Sequence, residues 1–178
     1  MHQPIRFRFA PAKARAAVHW MLQQYPTCDL HTALKSCYFA DKRHLNEHDR
    51  PIFGATYRAM KFGPVPLEIY EMAQGSALYL AELDAARYPW DLSGFVLKLR
   101  DNASPDLSPL SETDREAIEY GYQLSRSMTF NERTAATHGS DWQKAKLGLM
   151  KYEDMIAEGP GKAEKVAYLR EAAPYMRL

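Results

Sequence analysis

Apolar side chains recur at three- and four-residue spacing through Leu30, Leu34, Cys37, Tyr38 and Leu45, which predicts a helix with one buried face. Asp41, His44 and His48 fall on or beside that face. Burying a carboxylate is costly unless donors satisfy it, so Asp41 reads either as a structural hydrogen-bond hub or as part of a site. Asp29 is placed to cap this helix, and Pro51 forbids continuation beyond Asp49 and Arg50. Residues 56–62 alternate loosely and predict a short strand or hairpin arm, after which Gly63-Pro64-Val65-Pro66 predicts a sharp corner. Pro66 then suits the first turn of a new helix, with Glu68 near its positive end, Leu67, Tyr70 and Met72 facing inward, and Gly75 as its stop.

The same patterns extend to both sides. Ala14, Ala17, Val18, Met21 and Leu22 predict a packed first helix. Ser76 opens a helix expected to run to about Arg87, and Phe95, Leu97 and Leu99 alternate as a half-buried strand whose expected partner is the 56–62 segment. Ser111 with Asp114, Thr129 with Glu132, and Ser140 with Gln143 have the spacing of capping boxes. The first of these starts a helix carrying Ala117, Ile118 and Tyr122. Gly139 and Gly148 are expected helix stops, which puts His138 at a carboxyl end. A last helix is expected over 162–173, before Pro174. The fold class is therefore mainly α (α+β), a compact helical domain with a small two- or three-stranded antiparallel sheet.

Composition narrows the function classes. With 178 residues and a net charge of +1, one domain is expected, and there is no global electrostatic drive toward nucleic acid. Residues 1–28 hold no acid but contain Arg6, Arg8, Lys13 and Arg15, read as the solvated face of the first helix or else a partner-docking patch. Cys28 and Cys37 have no paired spacing and read as reduced thiols; no apolar run reaches membrane-spanning length, so a cytoplasmic protein is expected.

One catalytic pattern is present. His44-Leu-Asn-Glu47-His48 satisfies H-x-x-E-H, in which His44 and His48 would share a helical face and hold zinc. Such a hydrolase needs a third ligand, for which Glu68 and Glu119 are candidates, and a free glutamate base. No Gly-x-Ser-x-Gly elbow or glycine-rich phosphate cradle accompanies it. Asp41, read structurally, would accept from backbone amides at the Gly63 corner, from Lys61 or from a histidine.

The run Lys35-Ser-Cys-Tyr38-Phe-Ala-Asp41-Lys-Arg-His44-Leu45, then Arg50-Pro-Ile-Phe-Gly54, Tyr57-Arg-Ala-Met-Lys61 and Phe62-Gly63-Pro64-Val65-Pro66, resembles the Panacea domain of SocA-like antitoxins. Leu110-Ser-Glu-Thr-Asp114, Thr137-His138 with Trp142, and Tyr152-Glu-Asp-Met155 look like its later landmarks. The resemblance covers about 9–156, within a single domain over 1–178 whose last part, 157–178, is the final helix. Two departures are Ser36-Cys37, where bulky aliphatics are commoner, and a longer polar stretch between Gly75 and Gly94. The resemblance implies a protein that neutralises a cognate toxin encoded beside it by direct binding, without cofactor. In one branch it implies an adaptor that delivers the toxin to an AAA+ protease of the ClpXP type. Its motif residues here are Tyr38, Asp41, His44, Gly63, Pro64, His138 and Trp142. The expected toxin-binding cluster is Tyr57, Phe62, Val65 and Tyr70, with Arg58 and Lys61 at the rim.

Overall fold

The computed structural model describes residues 2–178. Its centre is helix α2, Leu30–His48, which follows directly on strand β1, Thr27–Asp29. The Asp29 carboxylate accepts from the Thr32 amide at 2.9 Å and so opens the helix as its sequence predicts. At the far end Asp49 takes a left-handed conformation, φ 57°, ahead of Pro51. Burial extends well beyond one stripe: Ser36, Cys37, Ala40, Asp41, His44 and Leu45 have no exposed surface. The helix is enclosed because several elements pack around it.

Helix α1, Pro11–Gln24, buries Ala14, Ala17, Val18, Met21 and Leu22. Its lysine is not part of a solvated face: Lys13 is buried and donates to Asp114 at 2.7 Å, which corrects the sequence reading at that position. Arg6 and Arg8 are exposed ahead of the helix. Helix α5, Glu112–Arg126, starts with the Ser111/Asp114 capping box and lies against α2 with Ala117, Ile118 and Tyr122 inward. The departure at Ser36 fits this contact, since a Cβ at Gly121 would stand 2.4 Å from the Ser36 carbonyl oxygen. Ser36 and Ser125 both donate their hydroxyls to the Thr32 carbonyl, at 2.7 and 2.9 Å, and tie the two helices together.

The sheet content is small and antiparallel, in two pieces. Strands β2, Tyr57–Met60, and β3, Gly63–Pro66, pair with each other; β1 pairs with β5, Val96–Leu99, and β5 with β4, Trp90–Ser93. The expected pairing of 56–62 with 95–99 is therefore not formed. Residues Lys61 and Phe62 make a two-residue turn that closes β2 onto β3, and Gly63 follows at φ +108°, where a side chain would be strained. The other edge of β2 is taken by the 148–150 segment, with Ala59 donating to the Gly148 carbonyl and Met150 to that of Tyr57, both at 2.9 Å. What reads as a corner at Gly63-Pro64-Val65-Pro66 is thus a strand, and the turn lies just before it.

Other elements refine the expected boundaries. Helix α3, Leu67–Ala73, buries Ile69, Met72 and Ala73, leaving Leu67 and Tyr70 half-buried rather than inward. Glu68 accepts from the Thr56 amide at 2.7 Å and ties α3 to the start of the hairpin. Helix α4, Ala77–Glu82, ends before Asp84, which turns left-handed at φ 49°, so it falls short of Arg87. Phe95 is not in a strand but beside Gly94 at the β4–β5 turn, 79% exposed. Helix α6, Phe130–Thr137, has the Thr129/Glu132 capping box. Helix α7, Ser140–Lys144, is preceded by Gly139 as its cap, so Ser140 lies inside it and the expected third box is absent. Helices α8, Tyr152–Met155, and α9, Lys162–Ala172, follow, the latter running into a short 3-10 turn at Pro174. Among the described residues no helix is long and apolar enough to cross a membrane.

Candidate interaction groove

The β2–β3 turn is pinned from two sides. His31, in the first turn of α2, bonds the Phe62 carbonyl through Nε2 at 3.0 Å, and the Trp142 indole donates to the Met60 carbonyl at 2.9 Å. Arg133 donates to His31 Nδ1 at 2.9 Å, which leaves Nε2 to carry the proton it gives to Phe62. Burial pushes His31 down to about 4, so this neutral tautomer holds throughout the neutral range. His138 stacks on Trp142 at 3.7 Å between ring centroids and completes the brace.

The pinned turn puts apolar side chains into water. Phe62 is 48% exposed and meets Phe130, 43% exposed, edge to face at 5.2 Å. Met60 is likewise exposed, and Phe95 reaches the same region from the other hairpin. Together with Val65, Tyr70, Leu30, Leu34 and Met128 they line a groove of about 790 Å³. Contiguous exposed apolar surface of this kind marks interaction sites, because isolated folding gives no reason to leave it bare.

Cationic groups stand at the groove's floor. Arg133 is buried and spends its guanidinium on the Ser125 and Met128 carbonyls and on His31. Lys35 is 2% exposed and donates to the Pro64 carbonyl at 2.6 Å. Burial, aided by the Arg133 charge, pushes Lys35 down to about 7. A lysine depressed in this way contributes stability that is complete above its unfolded value and is lost as pH falls through about 7. Lys35→Met is accordingly expected to raise the melting temperature more at pH 6 than at pH 9, measured by thermal denaturation of the two proteins in parallel.

The sequence-predicted motif residues lie mostly inside. The Asp41 carboxylate accepts from the Ile52 and Phe53 amides at 2.7 and 3.0 Å and from the Tyr57 hydroxyl at 2.7 Å. Its donors are therefore the chain just beyond Pro51, rather than Lys61, a histidine or the Gly63 corner. Tyr38 donates to Asp141 at 2.5 Å, and Lys42 pairs with the same carboxylate at 3.0 Å. Gly63 sits against Thr137 and Lys35, and Pro64 supplies the carbonyl that Lys35 uses.

His44 has both ring nitrogens engaged. Nδ1 donates to the Arg50 carbonyl at 2.7 Å, so Nε2 accepts from the Thr113 hydroxyl at 2.9 Å. The H-x-x-E-H pattern thus lacks a lone pair at its first histidine, and Glu68 is taken by the Thr56 amide. His48 lies nearby, its ring 4.6 Å from that of His44, but among the described residues no three His, Cys, Asp or Glu side chains converge as metal ligands.

A family model described as the antitoxin SocA-like, Panacea domain matches residues 34–143. The chain belongs to this family. No curated protein and no solved structure matches it. The matched part of the Panacea domain runs from α2 to α7 and includes both hairpins and all of α6. The α1 helix and the chain from residue 144 onward lie outside the match, which is narrower than the 9–156 resemblance. His31, which braces the turn of the Panacea hairpin, also lies just outside it.

Of the surface residues singled out in the sequence, Lys61, Phe62, Val65 and Tyr70 line the groove. Tyr57 does not: it is 2% exposed, with its ring between Tyr38 and Tyr152 and its hydroxyl on Asp41. Arg58 is exposed and is not itself in the lining, but it stands directly across the β2–β3 ladder from Val65 and on the same strand face as Met60, at the groove's margin. Sequence reasoning missed Met60, Phe95, Met128, Phe130, Lys35 and Arg133.

Proposed function

We propose that this Panacea domain is the antitoxin of a toxin–antitoxin pair and that it neutralises a cognate toxin protein by binding it in the aromatic groove. Family membership supports the antitoxin role, and the exposed Phe62–Phe130 pair is the observation that carries the assignment to this surface. The protein acts through surface complementarity rather than catalysis. A stable complex needs roughly 800 Å² per partner, with a few buried anchors supplying most of the affinity. Phe62, Phe130, Met60 and Phe95 are the anchors: each presents apolar area to water, and Met60 and Phe62 sit on the braced turn, so little ordering is lost there on binding.

Co-expression with the neighbouring gene tests the proposal. The wild-type chain is expected to relieve that gene's toxicity and to co-purify with its product. The double variant Phe62→Ala, Phe130→Ala removes two anchors and is expected to weaken binding by about a hundredfold or more while melting within a few degrees of wild type. Glu164→Lys in α9, which packs at the Asp49 end of α2 away from the groove, is expected to leave rescue intact. Full rescue by the double variant would remove the groove from the interaction. Protease-dependent disappearance of the toxin, in place of an accumulating complex, would replace neutralisation by delivery to a protease.

A further inference from the structure

Among the described residues two lysines are buried, and they are treated differently. Lys13 meets the Asp114 carboxylate at 2.7 Å inside the protein. Lys35 is at least as deeply buried, yet among the described residues no carboxylate lies within 4.0 Å of it. Its one hydrogen-bond partner is the Pro64 carbonyl, which leaves an ammonium with further donors beneath Gly63, on a side chain that forms part of the groove lining. Lys61 and Arg133 add positive charge to the same lining; the one acid there, Asp29, caps α2 and stands 3.9 Å from Arg133, leaving none for Lys35. A buried cation is expensive unless paired. In the free protein that cost stands uncompensated, as the lowering of Lys35 by burial and by Arg133 indicates.

We propose that the groove is built for a protein segment that carries a carboxylate along with apolar side chains, and that Lys35 is the group receiving that carboxylate. The proposal rests on the reading that the groove holds a partner protein, and it specifies the chemistry of the docked segment. Apolar residues of the segment pack on Phe62 and Phe130, and an aspartate, glutamate or terminal carboxylate reaches the floor and completes the ion pair that the fold leaves open. The desolvated site makes the pair selective: an amide in place of the carboxylate brings the same shape without the charge. A protein segment, rather than a free fatty acid, is the occupant because the apolar rim comes from separate elements and stands in water instead of folding over the groove.

The test uses the full chain and a displayed library of random peptides, so it does not depend on the toxin. Peptides selected on the wild-type protein are expected to combine apolar residues with an acid. Changing that acid to its amide is expected to weaken binding by about tenfold or more on wild type, and by less than about twofold on Lys35→Met. In the wild-type chain, lysine side-chain NMR is expected to show the deprotonation midpoint of Lys35 rising on addition of the acidic peptide and unmoved by its amide counterpart. That readout needs no variant to fold. Selected peptides without an acid, equal discrimination by Lys35→Met, or a Lys35 signal indifferent to the carboxylate would each overturn the proposal. A fatty acid extracted from the native protein and displaced only by other lipids would overturn the protein-segment occupant. Toxin binding that depends on Phe62 and Phe130 but not on Lys35 defeats this inference alone. Acid-selective peptide binding without any toxin neutralised defeats the antitoxin assignment alone.

Discussion

Replacing Asp41 with alanine is expected to lower the free energy of unfolding by about 3–5 kcal/mol, read from urea denaturation at neutral pH. The loss comes from what stays behind. The Ile52 and Phe53 amides and the Tyr57 hydroxyl all point at the carboxylate, and none has water to turn to, since Asp41, Ile52 and Phe53 have no exposed surface. Relief of the buried charge offsets only part of this. Burial pushes Asp41 up to about 6, against the opposing hydrogen bonds from Tyr57, Phe53 and Ile52.

Asparagine at the same position separates charge from hydrogen bonding. Its carbonyl keeps the two amides, and its amide group donates to Tyr57, whose hydroxyl then donates to the Cys37 carbonyl 3.4 Å away. Asp41→Asn is expected to cost no more than about 1 kcal/mol and to alter the pH dependence. A carboxyl group raised in the folded state contributes stability that is full below about 3.8 and lost as pH rises through about 6. Asp114 has the opposite sign. Burial raises it, but the Lys13 and Ser111 hydrogen bonds and the Lys13 and Arg50 charges outweigh burial, so its contribution is lost on acidification. The difference between wild type and Asp41→Asn, measured at pH 4 and pH 7, isolates the Asp41 contribution; a difference that does not change between the two would contradict the hub.

Gly121→Ala is the second large effect, and its sign runs against helix propensity. In the middle of α5 alanine would ordinarily gain about 1 kcal/mol over glycine. Here the new methyl group would lie 2.4 Å from the Ser36 carbonyl oxygen and 2.9 Å from the Ala40 amide nitrogen. Both are backbone atoms of the central helix, so no rotamer change relieves the overlap and α2 and α5 must move apart. Overpacking of this kind costs about 1–3 kcal/mol; with a backbone contact the upper end is expected, and the propensity gain is subtracted from it. The net destabilisation is about 2 kcal/mol, or a fall in melting temperature of about 4–8 °C. The Ser36 and Ser125 hydroxyls, which converge on the Thr32 carbonyl at this contact, lose their shared geometry at the same time. An unchanged or raised melting temperature would mean that the helices do not pack this closely.

Much of the helical framework is legible before any fold is known. Asp29 and Pro51 bracket α2, Ser111 with Asp114 opens α5, and Thr129 with Glu132 opens α6, because caps and prolines act on their own immediate backbone. Ser140 with Gln143 has the spacing of a box without being one, since Gly139 already occupies the cap position and Ser140 is drawn into α7. The sheets are less legible in the sequence. Residues 56–62 and 95–99 both look like arms awaiting a partner, and nothing local says that one closes on the proline-bearing strand after it while the other is flanked by Thr27–Asp29 and Trp90–Ser93. The two-residue turn at Lys61 and Phe62 carries none of the Asn-Gly or Gly-Gly pairs that announce a hairpin, and the signal sits one position later at Gly63.

The candidate groove shows the same division. Phe62, Phe95 and Phe130 come from a hairpin turn, a second hairpin turn and a helix start that are far apart along the chain. Tyr57 and Phe62 belong to one aromatic-bearing segment, yet strand register turns Tyr57 onto Asp41 in the core while the turn carries Phe62 into water.

From its residues alone the chain determined the position and ends of its principal helices, the demand that Asp41 be satisfied, and its kinship with SocA-like antitoxins. Tertiary structure alone decided which donors Asp41 would find, which aromatic rings would face outward, and that Lys35 would be buried without a counter-charge. The physical reason is one of range. Capping and helical periodicity are set by neighbours a few residues away, whereas burial and charge pairing depend on surfaces that meet only when distant segments pack.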